Sequence, residues 1–202
     1  CQVAVSRPDL MELLDMEPPR DWDGLLRLGR RTREKGQWLA IGLKGVHSLM
    51  TFFTLMANLG APCASERRHD IADRGMARQA LGLMRALLEY CPPQVFDWNS
   101  IALHDAMVRE DDLVFCPAVY CYATYAEADQ RRPLRFHDLP GPAGHAGSTI
   151  GGTGLAVSAA TTHREAALAY VRFAATAEAQ RAFASHHGQP AHAAVWDDPT
   201  VN

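Results

Sequence analysis

Apolar positions along the chain fall into two patterns: short unbroken runs, and longer stretches with a helical period. Residues 38–43 (WLAIGL) and 113–116 (LVFC) are unbroken runs of strand length, and 2–6, 134–137 and 155–158 read the same way. Residues 72–90 carry Met76, Ala80, Leu83, Met84, Leu87 and Leu88 on one stripe, which predicts a helix ended by Pro92 and Pro93. Asp21 is the N-cap expected for a helix with Trp22, Leu25 and Leu26 inward, stopped at Gly36. A shorter helix is expected from Pro8 to Met16, broken by Pro18 and Pro19. SLMTFFTLMANLG, 48–60, is a helix closed by Gly60 after the loop KGVHS. Asp97 or Asn99 opens another through Ile101, Ala102, Ala106 and Met107. Near the end, Thr162 with Glu165 three residues on has the form of a capping box, and Leu168, Val171 and Ala174 give that helix a core face. Thr176 caps a last helix that runs to Gly188. Residues 61–70 and 139–152 are loops, and CPAVYCYATYA is an aromatic run broken by proline. Strands alternating with helices make the class α/β.

With 202 residues, 48% hydrophobic and 21% charged, the chain fits one large domain or parts of two. A net charge of −3 gives no electrostatic reason to expect nucleic acid. Arg27, Arg30, Arg31 and Arg33 alternate with leucines, as on the solvated face of a helix. The most apolar run, Leu49 to Leu59, is too short to span a bilayer. The abrupt start at Cys1, directly before a strand, reads as the middle of a longer protein. The five cysteines, Cys1, Cys63, Cys91, Cys116 and Cys121, contain no CxxC and no zinc spacing. They read mostly as buried thiols, with room for one disulfide in an oxidising compartment. No metal or cofactor is expected.

Catalytic motifs are equally scarce. GSTIGGTG lacks the Lys-Ser/Thr ending of a P-loop and precedes its strand, where a dinucleotide fingerprint follows one. No GxSxG occurs. Glu110, Asp111 and Asp112 fall at a helix-to-strand turn and read as solvated. The aromatic segment is more informative. Trp98, Tyr120, Tyr122 and Tyr125 offer flat apolar faces beside hydroxyls, which suits a sugar ring; filling the core is the competing role for each. His47 and Ser48 fall between a strand and a helix start, where ligands gather in α/β folds.

Four segments together resemble a known family. They are PPRDWDGLLRLGRR, DWNSIALHDAMVREDDLVFCP, IGGTGLAVSAATTHREAALAYVRFAATAEAQRAF and HHGQPAHAAVWDDPTVN. Their order and spacing resemble the C-terminal half of bacterial extracellular solute-binding proteins, the sugar-type substrate-binding subunits of ABC importers. The resemblance implies a fold like periplasmic-binding-protein type II. It would be a three-layer α/β/α lobe, residues 1–150, followed by a hinge crossing and helices, 151–202, that return to a second lobe largely missing from this chain. It implies no catalysis. The chain would bind a small solute, a sugar or sugar derivative, in an inter-lobe cleft and deliver it to ABC permease subunits at the periplasmic or extracellular face. Its glycine pair would sit at the hinge, where glycine lets the backbone bend and pass close to ligand. On this resemblance and the aromatic pattern the expected ligand-binding residues are His47, Trp98, Asn99, Tyr120, Tyr122, Tyr125, Gly152 and Thr153. An α/β hydrolase or transferase domain and a ligand-sensing regulatory domain of the same fold are the alternatives.

Overall fold

Alternating inward positions on the strands are what set the architecture. In the computed structural model, which describes residues 1–63, 71–142 and 147–201, the chain forms two compact units, Cys1–Gly151 and Gly152–Asn202. The first holds β1 (Gln2–Ser6), α1 (Pro8–Leu14), α2 (Trp22–Glu34), β2 (Trp38–Leu39), α3 (Val46–Asn58), α4 (Arg74–Leu88), α5 (Ser100–Arg109), β3 (Leu113–Tyr120) and β4 (Arg135–His137). Its mixed sheet has the order β2-β3-β1-β4. β1 runs antiparallel to β3 and β4, and β2 runs parallel to β3.

The sheet divides two apolar cores. On one side Ala4, Leu39, Ile41, Val114 and Phe115 pack with side chains of α1 to α4, among them Leu14, Leu25, Leu28, Leu55 and Leu87. On the other, Val5, Ala40, Leu113, Cys116 and Val119 pack with Leu103 and Met107 of α5. The unit is therefore three-layered, α/β/α, as the resemblance implies. Leu39, Ala40 and Ile41 alternate between the two cores, as extended backbone requires.

Arg7 fastens the two helical layers. Its side chain is 1% exposed, and Nε and Nη2 donate to Asp9 Oδ1 and Oδ2 at 2.8 and 2.7 Å. Nη1 donates to the carbonyls of Met107 and Glu110, at 2.7 and 2.8 Å, beyond the last hydrogen-bonded turns of α5. Those carbonyls have no partner within the helix, and a cation satisfies them.

Most expected elements form, with differences that have local causes. Asp21 caps α2, its Oδ1 accepting from Gly24 N at 2.6 Å. The 38–43 strand is assigned only over Trp38–Leu39, although Ala40 N still donates to Phe115 O at 2.8 Å. The expected break at Pro117 does not occur: β3 continues to Tyr120. The β1–β3 register shifts between Val3 and Val5, opposite this proline. A residue without an N–H is tolerated at such an irregularity. α3 starts at Val46, so His47 and Ser48 lie in its first turn and not in the preceding loop. Of the polar loop 61–70, residues 64–70 lie outside the described residues. The acidic run is a turn, with Asp111 paired to Arg132.

The second unit consists of α6 (Arg164–Ala174), α7 (Ala177–Ala184) and α8 (Ala193–Trp196). Thr176 caps α7 as expected, its Oγ1 accepting from Ala179 N at 3.3 Å. Two expectations fail here. Residues 155–158 form no strand, since no backbone ladder meets them and Leu155 is exposed. The capping box is also absent: α6 begins after His163, whose N–H donates to Thr161 Oγ1 at 3.2 Å. Leu168, Val171 and Ala174 are half-buried on one stripe, and among the described residues of this unit only Val195 is buried.

Candidate functional site

Two helix starts and one strand end meet in the first unit. α3 follows Gly45, which has φ +54°, a left-handed conformation that favours glycine. α5 follows Asn99, whose Oδ1 accepts from Ala102 N at 2.9 Å. The two starts are tied through backbone: Lys44 N donates to Trp98 O at 3.0 Å. Side chains tie them again, with His47 Nδ1 3.4 Å from Ser100 Oγ. Tyr120, the last residue of β3, meets the His47 ring edge-on with centroids 6.3 Å apart. Gly151 lies against this tyrosine too, where an added Cβ would fall 2.7 Å from Tyr120 Cε1. Burial raises the Tyr120 hydroxyl pKa above its ordinary value.

The segment leading to Gly151 is anchored from below. Gln2 N donates to Thr149 O at 3.2 Å, and Ser148 Oγ to Gln2 O at 2.8 Å. Thr54 Oγ1, on α3, accepts from Thr149 N at 3.0 Å and donates to Gln2 Oε1 at 2.6 Å. Thr149 Oγ1 donates to Met50 O at 3.0 Å.

His104 supports the second group of aromatics. It is fully buried on α5, and Nδ1 lies 2.6 Å from the Ser100 carbonyl. A carbonyl only accepts, so Nδ1 carries the proton in the neutral ring. Nε2 has no protein partner, and burial holds the pKa below the ordinary histidine value. The ring stacks on Tyr125 at 4.8 Å and meets Tyr122 edge-on at 5.7 Å. Tyr125 also donates from its hydroxyl to Asp105 Oδ1 at 2.8 Å; burial, then this bond, push its pKa up to about 12.

Of the residues expected from sequence, His47, Asn99 and Tyr120 come together at the paired helix starts; Trp98 joins them through its carbonyl, while its side chain packs against both cores. Tyr122 stands beside them, 40% exposed over His104. Tyr125 is held by Asp105 and His104 and faces the core. Gly152 and Thr153 belong to the second unit and are exposed. Sequence reasoning missed Ser100, His104 and Gly151. Ser100 follows an Asn cap directly, and Gly151 is the first of the glycine pair; for His104, nothing in the sequence separates it from any other helical histidine.

The arrangement offers flat faces, amide and hydroxyl groups and helix N–H groups, chemistry suited to a neutral polar ligand. Ser6 and His137 form a closer serine–histidine contact, 2.8 Å; Ser6 is 2% exposed within the sheet, and both residues border a groove of the unit. Two grooves of about 400 and 440 Å³ lie on the same unit. The first runs past Met11, Asp15 and His137. The second runs past Trp98, Asp105 and Arg109. Among the described residues no cluster of three or more His, Cys, Asp or Glu is placed to hold a metal, and no helix is long and apolar enough to cross a membrane.

No family model and no curated protein sequence matches the chain. Solved structures do. Maltose-bound MalE3 of T. maritima superposes with a TM-score of 0.83 at 22% identity over 99% of this chain and 55% of its own. An ABC transporter solute-binding protein from Agrobacterium radiobacter, in complex with ribitol, gives 0.77 at 15% identity over 99% of this chain and 53% of its own. The GacH receptor of Streptomyces glaucescens, solved unliganded and with acarbose, gives 0.76 at 18% identity with the same coverage, 99% and 53%. The chain has their fold. It spans about half the length of these proteins.

Proposed function

We propose that this chain is part of a solute-binding protein that captures a sugar or polyol and hands it to ABC permease subunits at the periplasmic or extracellular face of a bacterial membrane. The observation that carries the proposal is the likeness over 99% of the chain to proteins solved with maltose and with ribitol. The chemistry of the site agrees with it. Tyr120 and Tyr122 supply faces for sugar C–H groups, and His47, Asn99 and Ser100 supply polar edges. Binding by such groups needs no bond-making step, and the role is capture and not catalysis.

The first unit is read as the C-terminal lobe, with its site as one wall of a cleft. The second unit is read as the hinge crossing and helices that complete the other lobe. Its single buried core residue, Val195, supports this: three short helices with so little interior gain stability by packing on further chain. Gly152 and Thr153 fall at the change of unit, where lobes close around ligand by a hinge motion.

Thermal unfolding against maltose, other disaccharides, monosaccharides, polyols and amino acids tests the reading, on this chain and on a longer parent carrying the rest of the cleft. A solute that binds only the native state stabilises it by about 2.7 kcal/mol at a hundred times its Kd. A sugar or polyol that raises the midpoint of the longer form, with a smaller rise here, is the expected result. Stabilisation by amino acids alone, or by nothing in either form, overturns the reading.

A further inference from the structure

The β1–β3 register brings two cysteines together that lie far apart in sequence. Gln2 pairs with Tyr120 and Val3 with Val119 in an antiparallel ladder. Cys1 directly precedes Gln2 and Cys121 directly follows Tyr120, so the two cysteines stand one residue beyond the last pair of the ladder, and the register continued outward opposes them. Directly opposed residues of an antiparallel pair share a face of the sheet.

The backbone hydrogen bonds say which kind of pair this is. Both backbone groups of Gln2 are engaged by the crossing segment: its N–H by Thr149 O, and its carbonyl by Ser148 Oγ. They therefore face away from β3, and Gln2–Tyr120 is a non-hydrogen-bonded pair. In a regular ladder the next pair outward would be the wide type, with Cα atoms about 5.5 Å apart. Cys1 and Cys121 lie just outside the two strands, so ladder geometry does not hold them at that spacing, and their Cβ atoms can draw to the roughly 3.5–4.5 Å of a disulfide. Disulfides span Cα separations of about 4.4–6.8 Å, most often about 5.5–6 Å.

The remaining thiols are placed differently. Cys91 and Cys116 are buried, and burial pushes both thiols far up, Cys116 to about 12. One extended segment also lies between them, since Leu39 N donates to Tyr90 O while Ala40 N donates to Phe115 O. Burial raises Cys63 as well. Cys1 is exposed and Cys121 half-buried.

We propose that Cys1 and Cys121 form a cross-strand disulfide that ties the start of β1 to the end of β3. The oxidant is a disulfide, either small or carried by a protein. The Cys1 thiolate attacks one of its sulfurs and expels a thiolate; the Cys121 sulfur then attacks the mixed disulfide at Cys1 and expels the second. The two protons lost by the cysteines end on the two released thiols, and the oxidant is reduced by two electrons. Cys121 sits between Tyr120 and Tyr122, so the bond pins the strand end that carries both rings. This inference stands independently of the function proposed above.

Oxidised glutathione applied to the folded protein tests it, with intact mass and non-reducing peptide mapping as readouts. The expected product has lost two hydrogen atoms and yields one peptide pair linked through Cys1 and Cys121, with Cys91 and Cys116 still alkylatable after unfolding. In Cys121→Ser, Cys1 is expected to retain glutathione as a stable adduct, for want of a second thiol to displace it. Unchanged mass, separate stable adducts on Cys1 and Cys121, or linkage of either to Cys63 overturns the proposal. So does an equally efficient internal disulfide at Cys1 in the Cys121→Ser protein.

Discussion

Arg7→Met tests how far the start of the chain governs the helix that carries half of the site. The guanidinium is 1% exposed and makes four hydrogen bonds, two to Asp9 and two to the carbonyls of Met107 and Glu110. Methionine keeps much of the volume and removes every donor. Asp9 is 57% exposed and rehydrates, so little of the cost arises there. The Met107 carbonyl carries most of the penalty, because the Glu110 carbonyl keeps a second donor, Arg132 Nη1 at 3.1 Å. A hydrogen bond from a charged donor contributes about 1.5–3 kcal/mol, so the loss is about 1.5–3 kcal/mol. For a chain of this size, about 2–4 °C per kcal/mol turns that into a fall in Tm of roughly 3–12 °C. Urea unfolding followed by far-UV circular dichroism at pH 7 measures it, with Asp9→Asn as the control that leaves the carbonyl clamp intact. Asp9→Asn is expected to cost much less than Arg7→Met. The pH dependence adds a second reading. The bond from Arg7 holds the Asp9 pKa below its ordinary 3.8 in the folded state. Its contribution is therefore present above that value and is lost as pH falls through the lower folded one. Arg7→Met should flatten this part of the acid limb. A loss under about 1 kcal/mol in Arg7→Met, or equal losses in the two variants, would refute the clamp.

Three further outcomes are expected. Asn99→Ala removes the α5 cap and should cost about 1 kcal/mol in urea unfolding, with Asn99→Asp close to wild type; equal losses would show that the cap does not matter. His104 is buried and neutral with its pKa depressed, so its contribution is present above about pH 6.5 and is lost as pH falls toward the lower folded value. Stability measured between pH 5 and 8 should fall with acid in the wild type and fall less in His104→Gln; parallel curves would assign the slope elsewhere, His137 being next. Gly151→Val should displace the Tyr120 ring and change the near-UV circular dichroism, while Gly152→Val, whose added Cβ meets nothing within 4 Å, should not.

The sequence by itself determined the class of fold, most element positions and several of the caps, though not the capping box expected at Thr162. Apolar period and capping chemistry are local, and Asp21, Asn99 and Thr176 cap the helices they announce. It also singled out the aromatic segment, because tyrosines beside polar groups at a strand end are a local pattern too. Tertiary structure decided what depends on partners. LAVS has strand composition but no strand to pair with, and so forms none. Pro117 reads as a breaker but stays in β3, where the β1 register shifts opposite it. Tyr120, Tyr122 and Tyr125 are equivalent in sequence. Only their neighbours separate the ring that faces His47, the ring exposed over His104 and the hydroxyl spent on Asp105. The opposition of Cys1 and Cys121 has the same origin: two positions that far apart become neighbours only through the register of a sheet.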